Sequence, residues 1–209
     1  MASRAVSLWV WQPHKGLWWV ATLFMIGASL FALGCVLFLG GVTDEFTIDS
    51  VFFAGSTFFT SAAFLEFYHT PTEKRVAYWS ALSQFIGTLF FNANTFDSFF
   101  NLGWFGQELL IWTPNIFGSV LFMISASLVM LDICKCWWCW NFKSLEWWNG
   151  AINFVGCVAF VISAVLSFVV PSTGAGLNEV LATMFTLFGA TCFFVGAYLM
   201  WPEMSRNIG

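Results

Sequence analysis

The chain has 209 residues, of which 59% are hydrophobic and 9% charged, with a net charge of −4. Soluble domains carry about 25% charged residues, and a soluble fold of this size cannot hide so much apolar surface. The composition therefore excludes a soluble globular protein and points to an integral membrane protein, and the acidic balance gives no reason to expect nucleic acid as a partner.

The opening "MASRAVSLWVWQPHKGLWW" places tryptophans and a proline where a secretory signal has its apolar core and cleavage site, so an uncleaved first helix is expected. Six apolar runs follow, at 17–39, 49–68, 76–96, 115–131, 147–170 and 178–201, each near the roughly 20 residues that a spanning helix needs. "GGVTDE" breaks the chain after the first run and "HTPTEK" after the second. "TPN" at 113–115 reads as a helix start with proline at the first helical position. Pro171 and Pro202 read as stops after the fifth and sixth. The long aromatic segment 97–114 reads either as an amphipathic stretch lying in the membrane interface or as a docking surface.

Threading six helices puts Arg4, Lys15, Lys74, Arg75, Lys135, Lys143 and Arg206 on one side. Asp44, Glu45, Asp49, Asp97, Glu108 and Glu179 fall on the other. The positive-inside rule then predicts cytoplasmic termini, in what we expect to be the plasma membrane.

The helices also align with one another. "LWWVATLFMIGASLF" (17–31), "AYWSALSQFIGTLFF" (77–91) and "EWWNGAINFVGCVAF" (146–160) superpose without gaps. Their shared positions are an aromatic pair, then Gly27, Gly87 and Gly156, then Phe31, Phe91 and Phe160. A second set, 55–63, 118–126 and 189–197, aligns Gly55, Gly118 and Gly189, then Phe59, Phe122 and Phe193, then alanines. The expected fold is all-α: a single membrane domain over 1–209, made of three tandem parallel two-helix hairpins with repeats at 11–69, 71–132 and 140–203, in a pseudo-threefold bundle. Residues i, i+4 and i+8 share a helix face, so Gly–Phe–Ala presents a notch, a knob and a notch, suited to close packing in lipid. The ring of one hairpin could fill the notch of the next. With that face on the axis, three Phe rings plug the centre, which argues against an open pore.

Intramembrane charge is the usual pointer to transport, and the runs hold almost none; Glu66 is the deepest candidate, near the cytoplasmic end of the second run, where it reads either as intramembrane or as interfacial. Gln84, Asn92, Asn94 and Asn153 are the internal amides, read as interhelical hydrogen bonds or as polar ligand contacts. His69, Asp132 and Glu203 occupy equivalent helix exits and form a metal-site candidate only if those ends face the axis. Cys134, Cys136 and Cys139 in "CKCWWC" read as a plain interfacial loop, as acylation sites or as a metal or redox cluster; three thiols without a histidine fall short of the four ligands of structural zinc.

The stretches "FFAGSTFFTSAAFLEF" (52–67), "WNGAINFVGCVAFVISAVLSFVVPSTG" (148–174) and "FTLFGATCFFVGAYLMWPE" (185–203) resemble the YrhK-like group of small membrane proteins over most of 11–203. The resemblance implies the hairpin fold and carries no established activity; the cysteine–tryptophan loop departs from the group's pattern. The sequence shows no nucleophile–base pair and no phosphate loop, and it requires no cofactor. The first expectation is a non-enzymatic membrane module, either a scaffold or accessory subunit beside other membrane subunits or a binder of lipid or another lipophile. The alternative is a small transporter or channel built from parallel repeats.

Overall fold

The computed structural model describes residues 11–136, 139–172 and 176–206, with side chains as far as Met204 in the last helix. Arg4, Trp137 and Trp138 lie outside the described residues. Among the described residues five helices are long and apolar enough to cross a membrane, in keeping with the composition. The helices are α1 (Gly16–Leu39), α2 (Glu45–His69), α3 (Arg75–Asp97), the short α4 (Trp104–Gly106), α5 (Thr113–Cys134), α6 (Leu145–Leu166) and α7 (Glu179–Arg206).

The helix outside the five is α3, which matches the others in length but is studded with polar residues. Most of these turn toward neighbours. Ser80 meets Ser125 at 3.0 Å, Thr95 meets Ser56 at 2.9 Å, and Asn92 donates to the Thr60 hydroxyl at 2.7 Å. Much of its polarity is therefore taken up by α2 and α5.

Each long helix packs on two others. The tightest pairs are α1 with α2, α3 with α5, and α6 with α7; the contacts of α2 with α3, α5 with α6, and α1 with α7 complete a closed ring. Inside each tight pair two glycines let the backbones meet. A Cβ added at Gly27 would lie 3.0 Å from the Gly55 carbonyl, one at Gly118 3.0 Å from that of Gly87, and one at Gly189 3.0 Å from that of Gly156. The notches are filled within the pair and not by the next one: Phe59 lies over Gly27, Phe31 over Gly55, Phe122 over Gly87 and Phe160 over Gly189. The reason is register, since the two glycines face each other and each phenylalanine stands one turn beyond its own glycine.

Two helix ends differ from expectation. "TPN" opens α5 with Pro114 in its first turn, but not at a free helix end, because α4, the π-helical turn Gln107–Trp112 and α5 run on as one 31-residue segment. Pro114 lacks an amide hydrogen, and the wider turn before it lets the Thr113 hydroxyl donate to the Glu108 carbonyl at 2.8 Å. Segment 104–112 thus extends α5 alongside α3, pinned by Asn94 on the Ile111 carbonyl at 2.8 Å and by the Trp112 indole on the Ala164 carbonyl at 2.8 Å. Pro202 lies within α7, near enough to its end that few backbone bonds are lost.

Ser119 is fully buried and its hydroxyl has no partner among the described residues. Such a group costs about 1–3 kcal/mol. Ala190, which also follows a packed glycine, shows that a methyl group suits such a place. Ser119→Ala is expected to raise the melting midpoint in detergent. Ser56→Ala, which removes the bond to Thr95, should lower stability by about 0.6 kcal/mol. A fall in midpoint for S119A would refute the assignment.

Candidate functional site

The ring of helices encloses an axis, and phenylalanines close it. Phe31, Phe59, Phe91, Phe122, Phe160 and Phe193 are all buried. Phe160 meets Phe31 at 6.3 Å, Phe91 at 5.7 Å and Phe193 at 5.4 Å between ring centroids. Phe193 also meets Phe59 at 5.9 Å and Phe122 at 5.8 Å. The plug therefore holds six rings, where the sequence led us to expect three. Only about 10 Å³ of free volume remains among five of them.

Cavities lie on both sides of the plug. The larger, about 310 Å³, opens among the helix ends that carry Lys15, Lys74, Arg75, Lys135 and Lys143. Phe24, Cys157 and Phe193 line its deep end. Its wall carries Ser80 and Gln84 from α3, Asn149 and Asn153 from α6, and the acids Glu66, Asp132, Glu146 and Glu203 from four helices. The smaller, about 190 Å³, is lined by Asp49, Asn94, Ser98, Asn115 and Thr186 together with Phe31, Phe91 and Phe160 of the plug.

The four amides singled out from the sequence do not converge. Gln84 and Asn153 share the larger cavity, where Gln84 accepts from the Ser125 hydroxyl at 3.1 Å and Asn153 donates to Asn149. Asn94 lines the smaller cavity, and Asn92 donates to Thr60 between helices while its buried Oδ1 has no partner among the described residues. Asp132 and Glu203 reach the larger cavity, but His69 does not; it is exposed, its Nδ1 2.7 Å from the Leu65 carbonyl. Among the described residues no three His, Cys, Asp or Glu side chains lie close enough together to hold a metal ion. Asp132 instead pairs with Lys135 at 2.7 Å.

Sequence reasoning missed Glu146 and Asn149. Their signal was present: residues 146, 149, 153 and 157 follow helical spacing on one face, and all four line the cavity. At the end of α5, Lys135 adopts a left-handed conformation (φ 54°) and turns the chain. Cys134 and Cys139 are joined by a disulfide, with Cα atoms 5.4 Å apart. In this form neither thiol is open to acylation or to a metal, and Cys136 stands exposed between them. The Trp147 indole donates to the Cys139 carbonyl at 2.8 Å, so the loop is tied to the start of α6 beside the cavity mouth.

The ring of helices, the plug and the two cavities define an all-α bundle whose helices are of membrane-spanning type. Compared with family models, with curated proteins and with solved structures, the chain matches none.

Proposed function

We propose that this protein is a non-enzymatic membrane module of the small transporter or channel kind, with its solute pathway closed. The observation that carries the reading is the alignment of two polar cavities on opposite sides of one phenylalanine plug. A hydrophobic constriction between wetted vestibules is how many pores hold themselves shut. The architecture we propose is three tandem hairpins, related by a pseudo-threefold axis through the plug, with both termini cytoplasmic. It is supported by the three glycine-faced helix pairs and by the positions that line the larger cavity. Leu17, Ala77 and Glu146, then Phe24, Gln84 and Asn153, then Glu66, Val129 and Met200 are corresponding residues of the aligned segments, and all nine line it. Membership of the YrhK-like group is part of the same proposal and rests on the resemblance of the helix motifs.

The test is uptake into proteoliposomes of a panel made of choline, rubidium and mannitol. Uptake of at least one solute, lost in the Gln84→Leu, Asn153→Leu double variant, is the expected result. No uptake of any, or uptake indifferent to the double variant, would overturn the reading. One observation favours a second reading, that of a lipophile-binding or accessory module. Phe100, Trp104, Phe105 and Leu109 form an exposed apolar strip at one end of the bundle. A stoichiometric lipid or subunit that co-purifies, together with the absence of flux, would favour that alternative.

A further inference from the structure

The groups around the larger cavity say what chemistry would enter it. We propose that this cavity binds a small organic cation, an ammonium group carrying a short apolar part, with Glu66 as its counter-ion. The proposal rests on the reading of the cavity as a solute site.

Four carboxylates line the wall, Glu66 from α2, Asp132 from α5, Glu146 from α6 and Glu203 from α7, while α1 and α3 contribute no charged group and, among the described residues, no Lys, Arg or His lines it. Lys135 is largely exposed and pairs with Asp132 at 2.7 Å. Glu66 differs from the others in depth. It stands one helical turn deeper than Asp132 and Glu203, level with Val129 and Met200 in the aligned segments; it is half-buried, lines the cavity, and its carboxyl group has no ion-pair or hydrogen-bond partner among the described residues. An uncompensated carboxylate at that depth is costly, and a cation entering the cavity removes the cost.

The geometry selects the class of cation. A bare metal ion needs several donors within about 2–2.6 Å of one point, and no three such side chains converge among the described residues. The acids stand instead on separate helices around a space of about 310 Å³, at the small end of the roughly 300–1,000 Å³ usual for small-molecule sites. Phe24 and Phe193 line the deep end, and the amide side chains of Gln84, Asn149 and Asn153 make up part of the wall. Aromatic rings beyond a carboxylate suit an alkylammonium ion, which gains cation–π attraction and apolar contact at once.

The test measures binding, not flux. Choline and 3,3-dimethylbutan-1-ol have nearly the same shape and differ in charge. Calorimetric titration of the detergent-purified full chain is expected to show saturable choline binding, with the neutral alcohol about tenfold weaker or more. Glu66→Gln should weaken choline by about tenfold, leave the alcohol unchanged, and melt at or above the wild-type midpoint. Asp132→Asn, whose carboxylate already faces Lys135, should change choline binding far less. Equal affinity for the two probes, no saturable choline binding, or an E66Q variant that binds choline like wild type would each overturn the inference. Choline binding without flux would leave the cation site standing and defeat the transport reading; flux of mannitol without choline binding would do the reverse.

Discussion

Phe193→Ala is expected to turn a closed protein into a leaky one. Phe193 is the ring that faces the larger cavity while touching three others in the plug, Phe59, Phe122 and Phe160. Cutting it back to a methyl group joins the cavity of about 310 Å³ to the small void among the remaining rings. Beyond that void the smaller cavity begins at once, because Phe31, Phe91 and Phe160 line both. Release of preloaded rubidium or choline from proteoliposomes should rise by about tenfold over wild type, since a shortened apolar constriction wets more readily. The stability cost is smaller than in a soluble core. Lipid is as apolar as the plug, so the transfer part of the usual penalty falls away. What remains is the empty space: about 24 cal/mol per Å³ over roughly 100 Å³ gives about 2 kcal/mol. A variant as tight as wild type would place the barrier elsewhere.

Gly189→Ala is expected to damage the fold about as much, although it adds only one methyl group. The new Cβ would stand 2.6 Å from a ring carbon of Phe160 and 3.0 Å from the Gly156 carbonyl oxygen. Phe160 cannot move aside freely, because it is itself packed against Phe31, Phe91 and Phe193. The carbonyl belongs to the backbone of α6, so relief requires α6 and α7 to separate. Overpacking of this kind costs about 1–3 kcal/mol. Unfolding in mixed micelles should show a loss in that range, while Gly103→Ala, where nothing lies within 4 Å, should be neutral. Equal midpoints for G189A and wild type would mean that the helix pair does not depend on this close approach.

The sequence made the glycine and phenylalanine positions legible because close packing in a membrane leaves few alternatives to small residues at helix crossings. It did not say which helix fills each notch. Spacing places Phe59 on the same face as Gly55, but the facing of Gly27 with Gly55 depends on the hairpin's register. Glu66, Asp132 and Glu203 were visible as polar residues at helix exits, and there sequence logic stopped. A carboxylate near a helix end looks the same whether it faces headgroups or an internal cavity. Glu146 and Asn149 were lost for that reason, sitting beside Trp147 and Trp148, which read as an interfacial belt. The helix through Pro202 and the π-turn before Pro114 escaped for another reason. Each proline removes one backbone bond, and tertiary packing decides whether the helix ends or continues. The disulfide between Cys134 and Cys139 depends on the tight turn at Lys135, which spacing alone does not reveal.

The central claim is an axis with two vestibules divided by one plug, and its most direct test is chemical access from each side. In a variant lacking the six native cysteines, Gln84→Cys, Asn94→Cys and Phe193→Cys would be probed singly, with membrane-impermeant thiosulfonates applied to oriented vesicles. Gln84→Cys should react only from the side of Lys74 and Arg75, Asn94→Cys only from the opposite side, and Phe193→Cys from the Lys74 side slowly at most. Reaction of Gln84→Cys and Asn94→Cys from the same side, or of neither from any side, would contradict the account.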